Sequence, residues 1–394
     1  MAVYKIFPIQ DATIYSLFPV MNTGLDPQLE ASTTAFAYSD PNPQVSRYLV
    51  KFSNDDLAEV LDNVINDNAN DWEAYLRVYS SIVTGMSLNT SIDVHMVAYD
   101  WNMGTGQYLD SPITTNGASW KYYQYSGSGD WIPSNGIFPT ISGASITGSW
   151  SGSNLGGGAW VFSPASNKTL PVSKSLTFSF RSDKDINLNV TPLVTHWSGK
   201  PSSSISADFP NYGFLVKQAS TQEFVNSTDV QVEMKYFAVD THTIYPPQLE
   251  FRWRDYKTVL TGSLTGSIIN TTPFKLSLGT SNANFFEQDS VNRFRVYCRP
   301  EFPARTFITS SYYTTNYFLP TASYYAVKDL DTNEFVINFD TQYTQISADA
   351  SSSYFDVYMN GLEPERYYKI LVSCSLDGSQ YILDDNYYFK VING

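Results

Sequence analysis

Runs in which every second residue is apolar recur along this whole chain, and they limit its fold more than any other feature. SIDVHMVAYDW (91–101), VQVEMKYFAV (230–239), FRVYC (294–298) and YKILVSC (368–374) each set one row of side chains on one face of a strand. Most runs are short and end at Gly, Pro, Asn or Asp, the residues that turn a chain. Composition agrees: there are 29 Tyr and 24 Phe, aromatics make up 15 %, and charged residues only 16 %. Aromatic and β-branched residues favour strands, and so little charge disfavours long solvated helices or disorder. The expected class is all-β with one short helix. Ser53 can cap that helix, Asp55 and Asp56 suit its first turn, and Leu57, Val60, Leu61, Val64 and Ile65 repeat at helical spacing. NDNAND (66–71) is expected to end it.

A chain of 394 residues has room for two or three domains. INLNVTPLV (186–194) reads as a strand leading into His196 and Trp197, and QLEFRWRDY follows Pro246 and Pro247. Beyond Tyr256 the composition changes and a second series of strands begins. We therefore place a large β-sandwich at 1–256 and a second one at 257–394. Residues 121–172 stand apart as a Gly/Ser-rich insertion with isolated Trp131, Trp150 and Trp160. They read either as short strands and loops at the sandwich rim, or as a contact loop presenting aromatics to a partner.

Motifs for chemistry are sparse. The three His residues, His95, His196 and His242, share no metal spacing, and His95 in DVHMV is expected at the surface or rim. The two Cys, Cys298 and Cys374, each end an alternating run. They read as small buried hydrophobes of one core, close enough that pairing stays open. The Gly-rich stretches follow no phosphate-loop spacing, and no nucleophile elbow occurs. Carboxylates are plentiful, but no pair is nominated as a glycosidase dyad. DLDTNEFVINFD (329–340) has acidic residues near calcium-loop positions, yet Glu334 replaces the required Gly, so a hairpin turn is the expected reading. No cofactor and no metal are expected. The net charge of −14 has 24 basic residues scattered among 38 acidic ones, which argues against nucleic acid as a partner. No apolar run approaches the ~20 residues that span a bilayer, so no membrane insertion is expected.

The first domain resembles the DNRLRE-type jelly-roll domain found in bacterial surface proteins and phage virion proteins. Asp11, Thr13 and Ile14 with Asn22 and Gly24 match its opening strand and turn, and RYLVKF (47–52) is similar to its Arg-x-Leu-Leu-x-Phe strand. Trp101 with GTG (104–106) and GASW ending at Trp120 resemble its tryptophan pair. NVTPLVTHWSG (189–199), NYGFLVK (211–217) and YPPQLEF (245–251) follow in the family's order. The family's closing Ser-Arg-Glu is replaced here by AVDTHT, and the insertion is long. In the second domain, LEPERYYKILV (362–372) resembles the tyrosine corner of fibronectin-type and Ig-like domains. There Tyr368 is expected to bury its ring and donate its hydroxyl to an upstream carbonyl.

With its MAVYKIFP start, the whole chain resembles structural proteins of tailed-phage virions. That resemblance implies a non-enzymatic component of a collar or neck, tail, baseplate or fibre, a homo-oligomer held by contacts with copies of itself and other virion proteins. MAVYKIFPIQ does not read as a secretory signal, since Pro8 breaks its apolar residues, and this fits a virion assembled in the host cytoplasm. The alternative is a glycan-binding adhesin or host-attachment module, with Trp131, Trp150 or Trp160 as sugar platforms.

Overall fold

The computed structural model describes residues 2–34, 44–65, 72–86, 89–125, 129–150, 155–166, 168–200, 207–223, 232–258, 266–280, 284–303 and 316–393. The fold is nearly all β, as the alternation requires. The chain packs into two compact units, Ile6–Glu250 and Phe251–Gly394, the second taking in Met1–Lys5 as well. The division thus falls at 250 rather than 256, and the first residues belong with the C-terminal body. Val3 is part of that body's core, and Asn360 Nδ2 donates to the carbonyl of Lys5 at 2.6 Å.

The larger body is built on an antiparallel sheet in the order Ser173–Ser179, Asn89–Met96, Phe214–Gln218, Gln44–Phe52, Pro8–Tyr15. The opening strand thus lies beside RYLVKF, and Thr33–Thr34 also pairs with Gln44–Phe52. Gln28–Glu30, Glu233–Phe237 and Ser80–Thr84 form a second, three-stranded sheet. Trp72–Val78 pairs with Ile186–Asn189 and alternates strictly between buried and half-buried side chains. Tyr48 of the large sheet meets Tyr236 of the three-stranded sheet with ring centroids 5.7 Å apart, so aromatics fill the space between layers. Phe214–Gln218, however, is buried at every position. Its second face is covered too, which alternation alone does not announce.

The first helix starts where the sequence puts it. Ser53 Oγ accepts the N–H groups of Asp55 and Asp56, and Leu57, Val60, Leu61 and Ile65 are buried. Over Glu59–Val64 the turn widens, with Ile65 N–H reaching the Val60 carbonyl. The expected stop at 66–71 lies outside the described residues. The reading of 186–194 as one strand needs correction, as does the expectation of a single helix: the strand ends at Asn189, and Thr191–Ser198 is an α-helix carrying His196. Its signals are local. Asn189 Oδ1 accepts the Thr191 N–H, Pro192 sits where its missing donor is harmless, and Gly199 closes the helix at φ 73°. Leu193, Val194 and Trp197 are buried, and the Trp197 ring lies 4.6 Å from that of Phe214.

The smaller body has two packed sheets. One holds Val291–Pro300 between Phe274–Gly279 and Ser353–Tyr358; the other holds Tyr367–Leu376 beside Ser323–Asp329. Aromatics join them: Tyr325 stacks on Phe355 at 4.2 Å, and Phe294 meets Phe389 at 5.6 Å. Cys298 and Cys374 are both buried in this core as free thiols. Tyr368 forms the expected corner, its hydroxyl donating to the Glu363 carbonyl at 3.0 Å. The 329–340 segment is the expected hairpin turn. Asp329 caps the N–H groups of Asp331 and Thr332 and pairs with both donors of the Arg366 fork, at 2.6 and 2.7 Å.

Candidate functional site

Cross-strand partners point to the same side of a sheet, so Ile14, Arg47, Leu49, Leu215, Lys217, Asp93 and His95 share one face of the large sheet. The Gly/Ser-rich insertion lies on that face. Gly156, Gly157 and Gly158 all have positive φ, and side chains there would collide with Trp120, Arg47 and Leu215 respectively. Glycine lets the backbone pass flat over the sheet. This answers the question left open by 121–172: much of the segment is a covering layer.

The covering buries two of the three candidate platforms. Trp131 is fully buried and donates Nε1–H to the Ser119 carbonyl, and Trp160 is 4 % exposed. A sugar therefore has no face to stack on at either. Trp150 is half-buried. His95 is corrected for the same reason. Its ring lies 5.1 Å from Trp160, both ring nitrogens are out of solvent, and burial with Lys217 and Arg47 nearby lowers its pKa to about 3. It is a neutral packing group.

Beneath this layer sits a buried charge cluster that sequence reasoning did not nominate. Arg47 Nε and Nη2 reach Glu223 at 2.8 and 3.0 Å, and both side chains are fully buried. Arg47 Nη1 donates to the Gly157 carbonyl, and its guanidinium lies 5.0 Å from the Trp120 ring. Lys217 Nζ reaches Glu223 at 3.3 Å, Ser220 Oγ at 3.1 Å and the Gln218 carbonyl at 2.9 Å. Burial lowers the Lys217 pKa, with Arg47 adding to the effect against the pull of Glu223. Only the position of Arg47 in RYLVKF signalled the site, since a cation that a strand turns inward needs a buried partner.

Two amides do related work. Asn22 Nδ2 donates to the Met103 and Ala118 carbonyls at 2.7 and 2.8 Å, while its Oδ1 accepts from Gly24 and Gly106. Asn211 Nδ2 donates to the Phe52 carbonyl, and its Oδ1 accepts from Gly213. Each ties a loop to its neighbours.

Among the described residues of this body, two hollows stand out. A cleft of about 820 Å³ lies beside Trp197 and Asn211, and the charged groups lining it face opposite charges. Lys51 meets Asp100 at 2.6 Å, Lys200 meets Asp62 at 3.2 Å, and Asp208 faces both Lys168 and His196. The second hollow, about 290 Å³, is walled by Tyr15, Phe18 and Tyr108. Asp26, Glu30 and Lys235 stand at its polar side. Burial raises the pKa of both carboxyl groups, although Lys235 opposes the rise at each.

No family, no curated protein and no solved structure that we compared matches this chain. The functional reading therefore rests on the residues themselves.

Proposed function

We propose that the protein is a non-enzymatic structural component of a tailed-phage virion, acting by contacts with other virion proteins and copies of itself. The observation that carries this reading is how the larger body uses its buried polar side chains. Asn22, Asn211, Arg47, Lys217 and Glu223 bind backbone or one another, holding loops and a covering layer in place. A rigid body of this kind suits a subunit that must present the same surface in every copy. In a symmetric assembly each modest contact is repeated, and the repeats add up to firm attachment. The resemblance of the first domain's sequence to a domain of phage virion proteins supports the same conclusion.

Mass spectrometry of gradient-purified virions tests it. We expect the chain at a copy number that is a multiple of the particle's symmetry, and the purified protein to self-associate or bind another virion protein. Its absence from particles would end the proposal. A second reading, a glycan-binding attachment module, is favoured by one observation: the aromatic hollow at Tyr15 and Tyr108 is open where Trp131 and Trp160 are shut.

A further inference from the structure

We propose that the hollow walled by Tyr15, Phe18 and Tyr108 binds one sugar ring of a glycan, stacked on Tyr108 and hydrogen-bonded to Glu30 and Asp26. The inference rests on the attachment reading and not on the particle reading.

A pyranose ring has an apolar C–H face and a girdle of hydroxyls that both donate and accept. It needs an exposed aromatic plane beside a mixed polar edge. Tyr108 is 45 % exposed, and its ring is braced by Tyr15 at 4.9 Å and Phe18 at 6.0 Å. The polar edge offers both kinds of group: Glu30 and Asp26 accept, Lys235 donates, and the hydroxyl of Thr34 does either, while that of Ser32 is already engaged by the Met234 N–H and Glu30. Tyr15 already donates to Glu30 at 3.2 Å, which fixes the carboxylate. The loops that frame the hollow are themselves held by the Asn22 amide, so little ordering is left for a ligand to induce.

Size and charge narrow the ligand. About 290 Å³ lies at the bottom of the ~300–1,000 Å³ range of ligand sites, enough for one ring and too little for a cofactor. Phosphate is disfavoured by Asp26, Glu30 and Glu233 around one lysine. A cationic side chain is disfavoured because Lys235 already stands 2.7 Å from Glu233 and 3.9 Å from Glu30. What remains is neutral hydroxyl chemistry.

The test is saturation-transfer NMR on the full-length protein with free glucose, galactose, rhamnose and N-acetylglucosamine, each at millimolar concentration. We expect transfer to the ring C–H protons of at least one sugar. Affinity should fall about tenfold or more in Tyr108→Ala and in Glu30→Gln. Tyr108→Phe, which keeps the plane, should retain binding, and Trp150→Ala should leave it unchanged. Near-UV circular dichroism would confirm that each variant is folded. Absence of transfer to all four sugars, or transfer that survives Tyr108→Ala, would overturn the proposal. Either result leaves the virion test untouched, so the two readings fail separately.

Discussion

The two bodies solve the same packing problem with different interiors. In the smaller one, rings meet rings: Tyr325, Phe355, Phe294 and Phe389 stack between two sheets, and a bidentate Arg293–Asp356 pair stays at the surface. In the larger one, a guanidinium, an ammonium and a carboxylate are buried together. The difference follows from what covers the sheets. A sheet covered by another sheet meets a surface whose backbone groups are already paired in ladders. A sheet covered by an irregular loop meets carbonyls and N–H groups that have no ladder, and a buried backbone group without a partner costs about 1–3 kcal/mol. Arg47 answers the Gly157 carbonyl, Asn22 those of Met103 and Ala118, Trp131 that of Ser119, and Trp101 that of Tyr212. Internal polarity in the larger body is thus a consequence of its covering layer.

The largest test of that contrast removes Glu223. Breaking a buried pair by deleting one partner costs about 3–5 kcal/mol; here Arg47 loses its bidentate partner while Lys217 is left with Asp93 at 3.9 Å, so we expect a cost in that range. Seven of the eight Trp residues lie in Ile6–Glu250, which makes Trp fluorescence during urea unfolding a direct readout of this body. Glu223→Ala should shift its transition sharply, while hydrogen exchange in 316–393 stays as in the wild type. Adding Arg47→Met and Lys217→Met should recover most of the loss, because the unpaired charges are then gone. A single-variant cost below about 1 kcal/mol would show that the covering layer does not depend on the cluster.

Acidity separates the bodies next. Asp11, 1 % exposed in the opening strand, is raised to about 7 by burial and by Asp240 and Asp26, against one N–H bond from Val239. Unfolded, it titrates near about 4. The folded state therefore holds this proton more tightly, so the contribution of Asp11 to stability is full at or below about pH 4 and falls by on the order of 4 kcal/mol as pH climbs to about 7. Asp349 in the smaller body is pushed up by burial but pulled down further by Ser351, Ser352 and Arg295, to about 2. Its contribution has the opposite sign: present above about pH 4 and lost as pH falls toward 2. Asp11→Asn should flatten the fluorescence-detected stability profile between pH 4 and 7. If the slope persists in the variant, another group carries it.

What was legible in the sequence follows the same line. The smaller body could be read in some detail, down to the Asp329 turn, because its strands alternate with one side in and one side out; the Tyr368 hydroxyl followed from the resemblance of 362–372 to a tyrosine corner. Val291–Pro300, buried at every second residue up to Cys298, is typical. In the larger body the sheet and the first helix were legible, but the covered face was not. Period two says which residues share a side, and nothing in it says what lies over Arg47 or His95. The Gly156–Gly158 run was visible as composition, yet its meaning depends on Trp120 and Leu215, residues distant in sequence. Thr191–Ser198 was misread because four apolar residues close together fit a strand as well as a helix. Pro192 and Gly199 were the better signal. The Tyr15–Tyr108 hollow had no sequence signature, since its wall and its polar edge come from separate loops and strands.

The smallest effect should come from the exposed counterpart of the buried cluster. Arg293 meets Asp356 through both Nε and Nη2 at 2.8 Å and lies over the Tyr354 ring at 4.2 Å. That geometry is as good as that of Arg47 with Glu223, but the side chains are 48 % and 22 % exposed instead of closed off. Water already solvates both partners, so an exposed pair of this kind contributes about 0.2–1 kcal/mol. A double-mutant cycle of Arg293→Ala and Asp356→Ala, followed by hydrogen exchange in 316–393, should give a coupling in that range that shrinks with added salt. The cluster around Glu223, screened by protein rather than by ions, should keep its coupling at the same salt. Equal salt dependence at the two sites would mean that water reaches Arg47, and the covering layer would then have to open on the timescale of the measurement.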